Sequence, residues 1–166
     1  MSSDCYAVIG NPVAHSLSPL IHRAFARQSE DSLTYSFIET PPDGFASGAA
    51  DFFDAGGCGL NVTVPFKSQA YEWVDFRDEY SREAGAVNTI KPTREGFEGF
   101  NTDGIGLMRD FERLGWSPTG ARVLILGAGG AARGIVGPLL RGSVEAVTIA
   151  NRTKRNSQFL RLFHYF

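Results

Sequence analysis

Lys67, Asp103, Asn61, Thr63, Ser16 and Ser18 are the side chains whose types and spacing can do chemistry. The run Asn61-Val62-Thr63-Val64-Pro65-Phe66-Lys67 reads as a strand end, with Val62 and Val64 on one face and Asn61 and Thr63 on the other. Pro65 has no N–H for a ladder, so the strand is expected to stop there and release Lys67 into the next turn. An amide, a hydroxyl and an ammonium at one strand tip can grip a small polyhydroxylated molecule and move a proton on it. The alternative is a strand with a polar outer face and a helix-starting lysine. Asp103, in Asn101-Thr102-Asp103-Gly104, reads either as a helix-start residue or as a partner for Lys67. An adjacent carboxylate keeps a lysine protonated and orients it. Such a lysine can give a proton to an oxygen as a hydride reaches the same carbonyl carbon. In His15-Ser16-Leu17-Ser18-Pro19, the two hydroxyls can both donate to one carboxylate. Ser18 also fits a helix N-cap, and His15 reads as a structural hydrogen-bonding residue rather than a catalyst.

A second group of residues is suited to phosphates. Gly127-Ala128-Gly129-Gly130-Ala131-Ala132-Arg133 follows an apolar strand and opens a helix, and Gly127, Gly129 and Ala132 fit the G-x-G-x-x-G/A dinucleotide pattern. The helix N-terminus would offer amide donors and a partial positive charge. A glycine-rich turn without a ligand is the alternative. Asn151-Arg152-Thr153 follows the next strand, where an NAD site would carry an acid. Arg152 instead suits an extra phosphate, which points to NADP; a surface arginine is the other reading.

These residues need a scaffold. Strands are expected at Tyr6–Ile9, Thr34–Glu39, Gly59–Val64, Ala86–Lys91 and Phe97–Phe100, alternating with helices at Pro19–Gln28, Asp43–Asp54, Phe66–Val74 and Asp78–Ala84. That order argues for an α/β sheet domain. A second unit begins with an amphipathic helix over Thr102–Leu114, closed by Gly115. Arg122–Leu126 follows as a continuous apolar strand of the parallel, fully buried kind, then a helix at Ala131–Arg141 and a strand at Ala146–Ala150.

Composition narrows the class. The 166 residues are 43% hydrophobic and 20% charged, which suits a soluble globular chain of one or two small domains. A net charge of −2 without a basic block argues against nucleic acid. Cys5 and Cys58 do not make a disulfide framework, and no metal-ligating set stands out. No signal peptide or membrane-length apolar run is read, so a cytoplasmic location is expected.

Six motifs occur in an order that resembles the shikimate dehydrogenase family: Gly-Asn-Pro-x-x-His-Ser-x-Ser-Pro (Gly10–Pro19), Asn-Val-Thr-Val-Pro-Phe-Lys (Asn61–Lys67), Gly-Ala-Val-Asn-Thr (Gly85–Thr89), Asn-Thr-Asp-Gly (Asn101–Gly104), Gly-Ala-Gly-Gly-Ala (Gly127–Ala131) and Asn-Arg-Thr (Asn151–Thr153). The resemblance implies an α/β fold with an N-terminal mixed-sheet substrate-binding domain and a partial Rossmann NADP-binding domain, the active site lying in the cleft between them. Residues 1–101 would be the shikimate-binding catalytic domain, 102–120 a connecting helix and linker, and 121–166 an incomplete NADP-binding domain. The activity implied is reversible NADPH-dependent reduction of dehydroshikimate to shikimate, on the route to chorismate and aromatic amino acids, by a monomer or homodimer. By position, Ser16 and Ser18 would hold the substrate carboxylate, and Asn61, Thr63, Asn88 and Asp103 the ring hydroxyls. Lys67 would be the acid–base residue with Asp103 as its partner. Gly127, Ala128, Gly129, Gly130 and Ala131 would hold the pyrophosphate, and Asn151, Arg152 and Thr153 the ribose phosphate of NADP.

The tail from Lys154 to Phe166 departs from the family pattern and reads as a truncation or an altered frame. A full doubly wound sheet uses about six strands, and two are clear here. The substrate half is therefore expected to fold well and the cofactor half to be marginal. Two alternatives follow: an inactive fragment that at most binds shikimate, and a quinate/shikimate dehydrogenase. A folate-pathway dehydrogenase with a lysine acid is disfavoured by the paired serines and the Asn-Arg-Thr loop.

Overall fold

The computed structural model describes residues 3–152. Expectations for Thr153 and for the tail 154–166 lie outside the described residues. In chain order the elements are β1 (Asp4–Gly10), α1 (Ser18–Ser29), β2 (Leu33–Glu39), α2 (Phe45–Asp54), β3 (Gly59–Val62), α3 (Lys67–Trp73), β4 (Phe76–Arg77), α4 (Glu79–Ala84), β5 (Thr89–Thr93), β6 (Gly96–Phe100), α5 (Asp103–Arg113), β7 (Arg122–Leu126), α6 (Gly130–Arg141) and β8 (Ala146–Ala150). They form two compact units. Of the described residues, one holds those up to Asp78 together with Val87–Phe100; the other holds Glu79–Ala86 and 101–152.

The first unit is built on a six-stranded mixed sheet of order β2-β1-β3-β5-β6-β4. β1 runs parallel to β2 and β3, while β5 is antiparallel to β3 and β6. Apolar residues of β1 and β3 (Ala7, Ile9, Leu60, Val62) pack with Phe45 and Ala49 of α2 and with Phe66 and Ala70. Phe45, Phe53, Trp73 and Phe97 extend this core as an edge-to-face and stacked aromatic group. Burial on this scale is what fixes the strand tips from which polar side chains project.

Two sequence expectations change here. β3 ends at Val62 rather than Val64, and Val64 is 65% exposed instead of sharing the buried face of Val62. The chain turns at once, with the Phe66 N–H donating to the Thr63 carbonyl at 2.9 Å. The two-residue β4 is absent from the sequence reading, being too short to show a period of two.

In the second unit, β7 and β8 pair in parallel, Leu126 opposite Ala150, with α6 as their connection. Ile125, Ala132, Val136 and Leu139 form its core with Met108 and Phe111 of α5. Helices α5 and α6 approach closely at glycines: a Cβ on Gly104 would collide with the Gly134 carbonyl and with Pro138. Full burial is the sequence expectation for β7, yet Leu124 is 61% and Leu126 79% exposed. Helices cover one face of this pair, and alternate residues point to the other.

Candidate active site

In the first unit the serine loop is held by a carboxylate. Glu39 Oε2, at the end of β2, accepts the N–H of Val13 at 3.0 Å and of Ala14 at 3.4 Å. The Ser16 N–H then donates to the Val13 carbonyl at 2.9 Å. Ser16 Oγ accepts the Ser18 N–H at 3.2 Å, and its hydroxyl donates to Ser18 Oγ at 3.1 Å. Ser18 is the first residue of α1, not its N-cap; Leu17 precedes the helix and no side chain caps it. The Ser18 hydroxyl is thus turned to other work. His15, expected to make structural hydrogen bonds, is exposed and makes none among the described residues.

Tyr35 lies between α1 and the tip of β3. Its hydroxyl donates to Asn61 Oδ1 at 2.7 Å. Burial pushes the phenol up to about 12. The ring stacks on His22 of α1 at 4.3 Å, and burial lowers the imidazole pKa. Asn61 Nδ2 donates to Thr89 Oγ1 at 3.1 Å and to the Asn88 carbonyl at 3.4 Å. Thr89 Oγ1 donates to Asn88 Oδ1 at 2.9 Å. Tyr35, Asn61, Thr89 and Asn88 therefore form one network, and Ser16 and Ser18 a second hydrogen-bonded pair.

Thr63 and Lys67 sit beside it through the backbone. The Thr63 N–H donates to the Ile9 carbonyl at 2.9 Å, and the Lys67 carbonyl accepts the Val87 N–H at 2.8 Å. The Val62 N–H donates to the Asn88 carbonyl at 2.8 Å. Lys67 opens α3, as a helix-starting lysine would. All six side chains are half-buried, which keeps them ordered yet reachable.

The second unit carries Asp103 and the glycine turn. Asp103 is the first residue of α5, and its N–H donates to Asn101 Oδ1 at 3.1 Å. Gly127 has φ +109°, a left-handed conformation suited to glycine, and its N–H donates to the Ala150 carbonyl at 2.8 Å. That bond ties the turn to the Asn151-Arg152 segment. A Cβ on Gly127 or Gly129 would meet nothing within 4 Å, so the space above the turn is open. Gly129 precedes α6, no side chain caps the helix and no acid sits in its first turn. Open glycines, uncapped amides and an exposed Arg152 fit a dinucleotide phosphate. Ala128 differs from its neighbours: its methyl packs into the core of the unit.

Among the described residues, no group of His, Cys, Asp or Glu could hold a metal ion, and no helix is long and apolar enough to cross a membrane. The side chains that sequence reasoning missed are Tyr35, Thr89, Glu39 and Asn101. Asn101 carried a readable signal, because an asparagine often bonds the backbone two residues on. Tyr35 carried none, since its partners lie on other elements.

The family model described as the shikimate dehydrogenase substrate binding domain matches residues 8–90, and that described as shikimate / quinate 5-dehydrogenase matches residues 112–164. The chain is 52% identical over 154 residues to the shikimate dehydrogenase (NADP(+)) of Chromohalobacter salexigens, covering 92% of this chain and 57% of that protein. The crystal structure of shikimate dehydrogenase from Aquifex aeolicus superposes with a TM-score of 0.89 at 34% identity, covering 96% of this chain and 60% of that one. Shikimate 5-dehydrogenase from Thermus thermophilus, in complex with NADP(H) and shikimate, gives 0.86 at 31% identity, with 96% and 60% covered. The chain thus spans somewhat under two thirds of the length of the relatives it matches. With two family models covering both units and the fold shared throughout, the chain belongs to the shikimate dehydrogenase family.

Proposed function

We propose that this chain carries out the shikimate dehydrogenase reaction, the reversible NADPH-dependent reduction of dehydroshikimate to shikimate. The observation that carries the reading is the half-buried Ser16–Ser18 pair and the Asn61–Thr89–Asn88 network of the same unit, with Lys67 opening a helix whose first carbonyl accepts the Val87 N–H. Hydroxyls and amides suit a small polyol acid. Ser16 and Ser18 rotate their hydroxyls to donate to the carboxylate, while Asn61, Thr63 and Asn88 hold ring hydroxyls. Lys67 gives a proton to the carbonyl oxygen, and Asp103 keeps the ammonium charged and oriented. NADPH, when bound, would supply the hydride that, with the proton from Lys67, turns C=O into CH–OH. Gly127, Gly129, Gly130 and Ala131 offer backbone to the pyrophosphate; Asn151 and Arg152, with Thr153 following in sequence, hold the ribose phosphate.

In this reading residues 1–101 bind substrate, 102–120 connect and 121–166 bind cofactor. The chain works in the cytoplasm as a monomer or homodimer, a setting that suits its free Cys5 and Cys58. A second reading, a chain that binds shikimate without turnover, is favoured by the open Leu124 and Leu126 face of β7. The test is NADPH formation from shikimate and NADP by the purified chain. Turnover lowered roughly a hundredfold by Lys67→Ala, with KM little changed, is the expected result. Absence of turnover in a folded sample that still binds shikimate supports the second reading, and absence of both sinks the proposal.

A further inference from the structure

We infer that Glu39 is a positioning residue of the substrate site, its carboxylate holding the serine loop in the shape that receives the carboxylate of a substrate. The inference rests on the function proposed above.

The loop leaves β1 at Gly10, carries Ser16 and delivers Ser18 to the first position of α1. It lies outside helix and strand, so its backbone groups find their partners one by one. β1 and β2 run parallel with Gly10 opposite Glu39, which places the end of β2 where the loop begins. Two consecutive residues there grip it. The Thr40 carbonyl accepts from Asn11 Nδ2 at 2.7 Å. Glu39 Oε2 accepts the Val13 N–H at 3.0 Å and the Ala14 N–H at 3.4 Å.

The second grip reaches the serines through one peptide. The Val13 carbonyl and the Ala14 N–H belong to the same planar unit and point in opposite directions. Glu39 takes the N–H, and the Ser16 N–H donates to the carbonyl at 2.9 Å. Ser16 Oγ then accepts the Ser18 N–H at 3.2 Å. The buried Val13 side chain packs with Val8 and Tyr35, but the Ala14 and His15 side chains are exposed. Packing therefore holds Val13 in place, while the direction of the peptide after it is left to Glu39. Bonds to an ionised acceptor are roughly twice as strong as neutral ones, which suits an anchor at an exposed loop. Two adjacent N–H groups converging on one point also make a nest for an anion. Glu39 fills that nest from within the chain, so an incoming carboxylate is left to the serine hydroxyls.

The experiment is titration calorimetry on the whole chain with shikimate and with its methyl ester, which keeps the ring hydroxyls and lacks the charge. The proteins are the wild type, Glu39→Ala and Glu39→Gln. Glu39→Ala is expected to weaken shikimate roughly tenfold, as loss of a shared hydrogen-bonded anchor would, and the ester about twofold or less. Glutamine keeps an oxygen at the same reach, so Glu39→Gln should bind shikimate within about threefold of wild type. Hydrogen exchange at the Ser16 amide should quicken in Glu39→Ala and recover in Glu39→Gln, with the unfolding midpoint little moved. Wild-type affinity for shikimate in Glu39→Ala, equal losses for acid and ester, or Glu39→Gln binding no tighter than Glu39→Ala would each overturn the positioning role while leaving the proposed function standing. A wild-type chain that binds no shikimate overturns the function, and the inference with it.

Discussion

Asn101 Oδ1 accepts the backbone N–H of Asp103 at 3.1 Å, while its Nδ2 donates to the Ala86 carbonyl at 3.0 Å. Asn101 is 1% exposed and lies against Gly134, where a Cβ would stand 2.8 Å from its Oδ1. One buried amide therefore fixes the start of α5, the loop at Ala86 and the packing of α6. Asn101→Ala strands a buried carbonyl and removes the bond to the Asp103 amide. It should cost about 1–3 kcal/mol. Urea unfolding should show the lower midpoint, with faster hydrogen exchange at the Asp103 amide. An unchanged midpoint would show that water replaces the side chain.

Gly10 is set by Thr63. A methyl at Gly10 would stand 2.5 Å from Thr63 Cγ2, and 3.2 Å from both Val13 Cβ and the Val64 carbonyl. Backbone lies on one side of it, so relief by side-chain rotation alone is blocked. Gly10→Ala should destabilise by about 1–3 kcal/mol through overpacking and push Thr63 out of place. Weaker shikimate binding should accompany the lower denaturant midpoint. Wild-type stability and binding together would mean that the turn after β3 shifts freely.

The strand of Arg122–Leu126 was legible to the residue, because five apolar-rich positions between Gly120 and Gly127 leave little choice of element. Its burial was misread: an apolar run says that a strand can be covered on both faces, not that it is. Asn61, Thr63 and Lys67 stood out as candidates because they lie within seven residues of one another. Tyr35 did not, since its partners, His22 and Asn61, lie on other elements. Only the helix-cap alternative for Ser18 fails: α1 begins at Ser18 itself, Leu17 precedes it and no side chain caps the helix.

Tyr35 should also leave a mark on stability at high pH. Its phenol lies near 12 in the folded chain against 10.0 for an unperturbed tyrosine. Unfolded chains would ionise first, so the contribution is complete below pH 10 and is lost as pH rises through about 12. Tyr6 is raised too, but it is common to wild type and Tyr35→Phe. Between these limits the wild type should lose more stability than Tyr35→Phe. Parallel loss of denaturant midpoint in the two proteins would show that the folded phenol ionises normally.

Arg152 follows β8, whose last residue Ala150 accepts the Gly127 N–H at 2.8 Å. The cation is thus anchored next to the glycine turn and exposed to solvent, where a guanidinium can meet an oxyanion with two parallel bonds. A phosphate on the adenosine ribose is present in NADP and missing from NAD. Arg152→Ala should therefore weaken NADP roughly tenfold or more and leave NAD almost unchanged, so that the preference between them collapses. Raising the salt concentration should narrow the gap in the wild type as well, because an exposed ion pair is screened. Equal losses for NADP and NAD, measured by calorimetry on the same preparation, would place Arg152 on the shared pyrophosphate and assign cofactor choice to another residue.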